Sequence, residues 1–396
     1  MSGNPLIHLA LTDDWEVRGN GTGDPRVIEF EPMRQLTAIY ERYGVRGSFN
    51  VELMQQLAFR RHQGAHPELR AFADEWDACV LDAFRRGHDV QPHLHPQWRD
   101  AQYKGGGKWR LLSAWSIVTY SGKEIRRMLS EAVDYLENLL RQIDPGYRCQ
   151  TYRAGSWCCA PSDDLFPALA ELDFVLDMSI VAGVSYDTPN IKLDNRYVEE
   201  PFLPYFPMMH DARHMSAHAE PMVCVPTHTF HGARWGMFLR DVKNVREKAL
   251  RRLVKPETAS AERGATSNEW TDRRIVQASR AEKLKKIALR YVDPKLHISD
   301  LSCLNFAMMK AMLRDIRSRA QASGFPVVPI ILVNHPKDIL HFETMDRFVR
   351  LVARSKDIRT VTLSEMAASI RAGEYRIRTS AGWESLPVLE GSLHAV

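Results

Sequence analysis

Residues 6–15 read Leu6-Ile7-His8-Leu9-Ala10-Leu11-Thr12-Asp13-Asp14-Trp15, a largely apolar run that ends abruptly in two carboxylates. A strand covered on both faces reads as a near-continuous apolar stretch, and polar side chains gather where it leaves the core. The segment is therefore expected to be a buried strand, Leu6 to Leu11, delivering functional groups at its carboxyl end. Outward from it, Glu31 to Tyr43 carries Met33, Leu36, Ile39 and Tyr40 at helical spacing, and Gly44 stops that pattern before a short run from Gly47 to Val51. The same rhythm returns. A helix is predicted from Pro67 to Arg86 and a strand from His88 to His95; a helix from Lys123 to Arg141 and a strand from Tyr147 to Arg153 follow. Further strands are expected at Phe174 to Ile180, Met222 to Val225, Val327 to Val333 and Arg359 to Leu363.

Alternating strands and helices imply parallel pairing, and polar clusters at successive strand ends place a site on the carboxyl face. Residues 238–296 break the rhythm with two basic helical stretches around a polar piece from Pro256 to Asn268, read as an insertion or cap. Lys104-Gly105-Gly106-Gly107-Lys108 reads as a flexible loop near the site.

Composition narrows the class. The 396 residues are 44% apolar and 26% charged, enough for a large buried core. The cysteines at 79, 149, 158, 159, 224 and 303 form no C-x-x-C pair, which excludes a zinc ribbon and points to a reducing compartment. The amino-terminal stretch has no basic start followed by an apolar core, and no run of about 18 apolar residues occurs, so a cytoplasmic protein is expected. A net charge of +4, concentrated between Arg240 and Arg290, gives a local basic surface and not a nucleic-acid-binding protein. Motifs for serine hydrolases, phosphate-binding loops and dinucleotide binding are missing from the sequence.

Four clusters carry the chemistry: Thr12-Asp13-Asp14-Trp15, His93-Leu94-His95-Pro96-Gln97-Trp98, Tyr152-Arg153-Ala154-Gly155-Ser156-Trp157 and Val333-Asn334-His335-Pro336. Carboxylates, histidines and an arginine at strand ends are the ingredients of a hydrolytic metal site. In this order the clusters resemble the polysaccharide deacetylase family, which includes chitooligosaccharide and peptidoglycan N-acetylglucosamine deacetylases. The resemblance implies an α/β fold, a distorted (β/α)7-type barrel, over residues 1–396 as a single catalytic domain.

It also implies roles. Asp13 would be the catalytic base and Asp14 a metal ligand, with Arg153 holding Asp13 ionised. Gly87-His88-Asp89-Val90 and His93 match the second motif, but Gln97 stands where the family has its second histidine, and His95 appears between them. His93 and His95 project to the same side if the segment stays extended. Asp14, His93 and His95 are the expected metal ligands, with completion by Gln97 or by water as the alternative to His95. His335 would protonate the departing amine with Asp177 as its partner. The backbone N–H near Ser156 would face the oxyanion, and Val333 would line the acyl pocket. Trp15, Trp98 and Trp157 could stack on a sugar ring or pack in the core.

The expected cofactor is one divalent ion, zinc first, with nickel, cobalt or manganese as alternatives. The expected activity is N-deacetylation of an amino sugar serving surface-polysaccharide biosynthesis (O-antigen, lipopolysaccharide or exopolysaccharide), with the basic cap meeting a membrane or lipid-linked substrate. A deformylase acting on a lipid-linked sugar and a non-catalytic carbohydrate-binding relative are the alternatives. His210, His214 and His218 would share one face if helical, but Pro204, Pro207 and Pro221 argue for a substrate-facing loop.

Overall fold

The computed structural model describes residues 4–232, 296–339 and 341–384. The expected basic insertion at 238–296 lies outside the described residues except for Leu296, which opens a short strand, Leu296–Ile298. The apolar runs pair as one eight-stranded sheet. Its path runs through Val223–Cys224, Leu176–Asp177, Thr151–Ala154, Asp89–Leu94, Ser48–Glu52, Leu6–Trp15 and Val327–Asn334, and Ile358–Thr360 also pairs with Leu6–Trp15. Each of these pairings is parallel. A parallel bridge between Thr227 and Ile331 brings the two ends of the path together, so the sheet curls into a distorted barrel.

Parallel strands need crossovers, and helices supply them. Glu31–Arg42, Pro67–Arg85 and Gly122–Leu140 form where the apolar spacing predicts, within a residue or two at each end. Helices Leu53–His62, Leu165–Glu171, Phe306–Ser323, Phe342–Ala353 and Leu363–Arg371 complete the outer layer. Their ends are built by local chemistry: Glu52 accepts from the backbone N–H groups of Met54 and Gln55, and Thr362 with Glu365 forms a capping box. The lysine–glycine loop at 104–108 is the tip of a hairpin between Gln102–Tyr103 and Trp109–Arg110. No helix among the described residues is long and apolar enough to cross a membrane.

Candidate active site

The carboxyl end of the first strand sorts its side chains by alternation, because successive residues point to opposite faces of a strand. Asp13 and Trp15 face the helices. The Asp13 carboxylate accepts from the Tyr40 hydroxyl at 2.8 Å and from the Asn334 amide. The Trp15 indole donates to the Glu29 carbonyl at 2.7 Å and packs on Phe30 and Trp76, with ring centroids 5.8 and 5.3 Å away. Trp15 is fully buried core, not a surface for a sugar, and Trp98 is the same, packed against Phe59 and Trp109.

Asp14 and Glu16 face the barrel interior. Asp14 pairs with the Arg153 guanidinium and accepts from the Asn50 amide at 2.9 Å. The expected pairing of Arg153 with Asp13 is thus corrected: strand alternation turns Asp13 away from Arg153 and presents Asp14. Burial pushes the Asp14 carboxyl up, but Arg153, His93 and His335 outweigh it and hold the group below its ordinary value. Asp13 is pushed up to about 7, first by burial, with its hydrogen bonds from Asn334 and Tyr40 opposing.

Glu16 meets His95 and Lys337, and its Oε2 lies 3.8 Å from His93 Nε2. One ligand atom from each of Glu16, His93 and His95 lies within 4.8 Å of the others, and all three residues are buried. The carboxylate that joins the two histidines in this group is Glu16, whereas the sequence reading assigned that place to Asp14. His93 Nδ1 sits 2.8 Å from the Arg153 carbonyl. A carbonyl only accepts, so Nδ1 carries the hydrogen and Nε2 keeps its lone pair toward Glu16. Burial drives His93 down to about 4, so its imidazole is neutral near pH 7. Burial also penalises charge on His95, but the Glu16 carboxylate overrides it and raises that group. Glu16 is held well below its ordinary value, with burial opposed by His95 and Lys337.

Gln97 lies behind this group. Its amide is 3.1 Å from His95 Nδ1 and 3.2 Å from the Gly19 carbonyl, on the ring edge opposite Glu16. Gly155 lets the neighbouring strand come this close: a Cβ there would lie 2.5 Å from the Leu94 carbonyl and 2.9 Å from His95 Nδ1.

His335 closes the other side. Its Nε2 is 3.7 Å from Asp14 Oδ2, and its Nδ1 is 2.8 Å from Asp300 Oδ2. Burial lowers the imidazole, but the Asp300 carboxylate more than offsets this and brings it to about 9. The expected partner, Asp177, is corrected to Asp300. Asp177 instead accepts from the Ser179 backbone N–H at 2.9 Å and hydroxyl at 2.7 Å, deep on its own strand. Trp157 stands half-buried with its ring 6.3 Å from that of His335 and 5.1 Å from the Arg153 guanidinium carbon. Ser156 and Trp157 both hold positive φ, 57° and 64°, in the turn that follows Arg153. Val333 is wholly buried, in register with Thr12.

His210, His214 and His218 are not on a helix. Asp211–Met215 is a strand, and His214 pairs with Glu199 at 3.0 Å. Three groups that sequence reasoning missed are Glu16, Lys337 and Asp300. Glu16 lies two residues beyond Asp14 and Lys337 two beyond His335, a spacing that strand alternation could have flagged for Glu16; Asp300 belongs to no motif.

A parallel barrel with carboxylates, imidazoles and a guanidinium converging at its strand ends is the class that fold and site define. No family model and no curated protein matches the chain. Among solved structures the chain is similar to a protein described as a polysaccharide deacetylase from Mycobacterium smegmatis, at 15% identity and a TM-score of 0.47, covering 96% of this chain and 95% of that one. It is also similar to the PuuE allantoinase, at 10% identity and TM-score 0.46, with 94% and 92% covered. A protein described as a polysaccharide deacetylase from Pseudomonas aeruginosa PAO1 gives 11% identity and TM-score 0.44, with 93% and 92% covered.

Proposed function

We propose that this protein is a metal-dependent amide hydrolase that removes an N-acyl group, acetyl first, from an amino sugar destined for surface polysaccharide. The observation that carries the reading is the buried group Glu16, His93 and His95 set beside a second set, Asp14, Arg153, His335 and Asp300. Two imidazoles and one carboxylate suit a borderline divalent ion such as zinc, and the tautomer fixed on His93 leaves its Nε2 ready to bind. Glu16, His93 and His95 would hold the ion, which when bound supplies Lewis acidity and lowers the pKa of water toward about 7.

The chain's own groups divide the proton work. Asp14, kept ionised by Arg153, takes the proton from the attacking water; Asp13, behind it, braces the strand. His335, kept protonated by Asp300, gives a proton to the leaving nitrogen. The backbone N–H near Ser156 faces the oxyanion and Trp157 offers an apolar face to the sugar, whereas Val333, wholly buried, packs behind the site instead of bounding an acyl pocket. A second reading has one observation in its favour: Glu16 pairs with the Lys337 ammonium as well as with His95, a side-chain counter-charge that a carbohydrate-binding relative without turnover would allow.

The test is acetate and formate release from N-acylated amino sugars, free, nucleotide-linked and lipid-linked, by protein loaded with zinc, nickel, cobalt or manganese and by chelator-treated protein. Metal-dependent acetate release is the expected result. Formate release alone would favour the deformylase, and sugar binding without hydrolysis under every metal would overturn the hydrolase reading.

A further inference from the structure

Away from the groups already described, His228, Ser299 and Asp315 form a second polar cluster. His228 is 2% exposed and Ser299 not at all. His228 Nδ1 lies 2.6 Å from the Ser299 hydroxyl, and its Nε2 lies 3.1 Å from Asp315 Oδ2. A carboxylate only accepts, so Nε2 carries the hydrogen. Burial holds the imidazole below its ordinary value, which makes it neutral and leaves Nδ1 to accept from the Ser299 hydroxyl. Carboxylate, imidazole and serine in this order have the hydrogen-bond polarity of a nucleophilic triad. The Ser299 oxygen is sealed from solvent, however, so it has nothing to attack.

What the cluster does is hold backbone. The Ser299 N–H donates to the His228 carbonyl at 2.8 Å, and the Ser299 carbonyl accepts from the Val333 N–H at 3.2 Å. The His228 N–H donates to the Ile331 carbonyl at 3.0 Å. Asp315 anchors the outer end from the helix Phe306–Ser323, where Arg319 lies 3.7 Å away, donates to the Thr229 carbonyl at 3.2 Å and stacks on Phe202 at 4.1 Å. The residue after Ser299 is Asp300, whose carboxylate reaches His335. Its other side-chain partners, the Ser302 N–H and hydroxyl and the Cys303 thiol, belong to its own turn and would move with it.

We infer that Asp315, His228 and Ser299 form a clamp that positions Asp300 against His335, which makes His228 and Ser299 positioning residues for proton delivery; the inference rests on the reading of His335 as proton donor. The test uses full-length Ser299→Ala and Asp315→Ala, the second at a partly exposed site that leaves the core untouched. Two readouts are taken: kcat and KM on an N-acetylated amino sugar, and the downfield NMR resonance of the His335 Nδ1 proton, assigned by its disappearance in Asp300→Asn. Ser299→Ala is expected to lower kcat by roughly 10- to 100-fold, the scale of a small misplacement, with KM unchanged and the resonance shifted. Asp315→Ala is expected to do the same more weakly. A resonance at the wild-type position in both variants overturns the clamp, whatever the turnover. A resonance that shifts in a protein without amide hydrolysis supports the clamp as a positioning device and overturns the function assigned to His335.

Discussion

Asp13 and Asp14 are identical in chemistry and adjacent in sequence, yet the fold gives them opposite surroundings. Asp13, with Trp15, faces the helices: a neutral hydroxyl and an amide approach its carboxylate, and burial raises it to about 7. Asp14, with Glu16, faces the barrel, where Arg153, His93 and His335 overcome the same burial and lower it. The direction a side chain takes at a strand end, rather than its type, thus decides whether it braces the wall or reaches the site. The helix face of that strand is structural and the barrel face chemical, and this contrast is open to experiment.

The largest effect is expected from Asp14→Asn, which should lower kcat/KM by about 10²–10⁴ and, because it leaves the buried Arg153 guanidinium without its counter-charge, lower the melting temperature as well. Asp13→Asn should stay within about tenfold of wild type; a loss as large as that of Asp14→Asn would break the contrast. Next in size is Trp15→Ala, which removes a buried aromatic and should cost about 3–5 kcal/mol in denaturant unfolding. Trp157→Ala, on the barrel side, should leave unfolding near wild type and raise KM. The rate itself should fall as pH rises through about 9, where His335 loses its proton, and Asp300→Asn should move that limb to lower pH.

A further effect sharpens the contrast through stability. Asp13 has a folded value of about 7 against an ordinary 3.8, so the folded state binds its proton more tightly than the unfolded chain does. Its contribution is fully present below pH 3.8 and is lost as pH rises to about 7, beyond which it is constant. Asp13→Asn should therefore flatten the decline of unfolding free energy between these limits, measured by urea titration at stepped pH. An unchanged slope would contradict the assigned environment.

The barrel was legible because its strands are apolar runs and its main helices keep a clean stripe. The helix Leu53–His62 was not, because Gln55 and Gln56 lie buried among its apolar positions and interrupt the period. At the site, Arg153, His93, His95 and His335 were found from strand-end clusters and do converge. Which aspartate meets Arg153 was not legible, since two adjacent carboxylates read alike until the strand's facing is known. Asp300 was invisible for a different reason: it reaches His335 by a parallel bridge with Val333 formed only in the fold. Trp15 and Trp98 illustrate that an aromatic beside a catalytic-looking cluster is as readily its packing.

The central claim is that Glu16, His93 and His95 share one divalent ion while Asp14 stands free of it as the base. Anomalous scattering from zinc-soaked crystals tests this directly. A single peak bonded to Glu16, His93 and His95, at zinc–ligand distances of about 2.0–2.2 Å, is the predicted result. A peak bonded to Asp14 with Glu16 still held by Lys337 would contradict it.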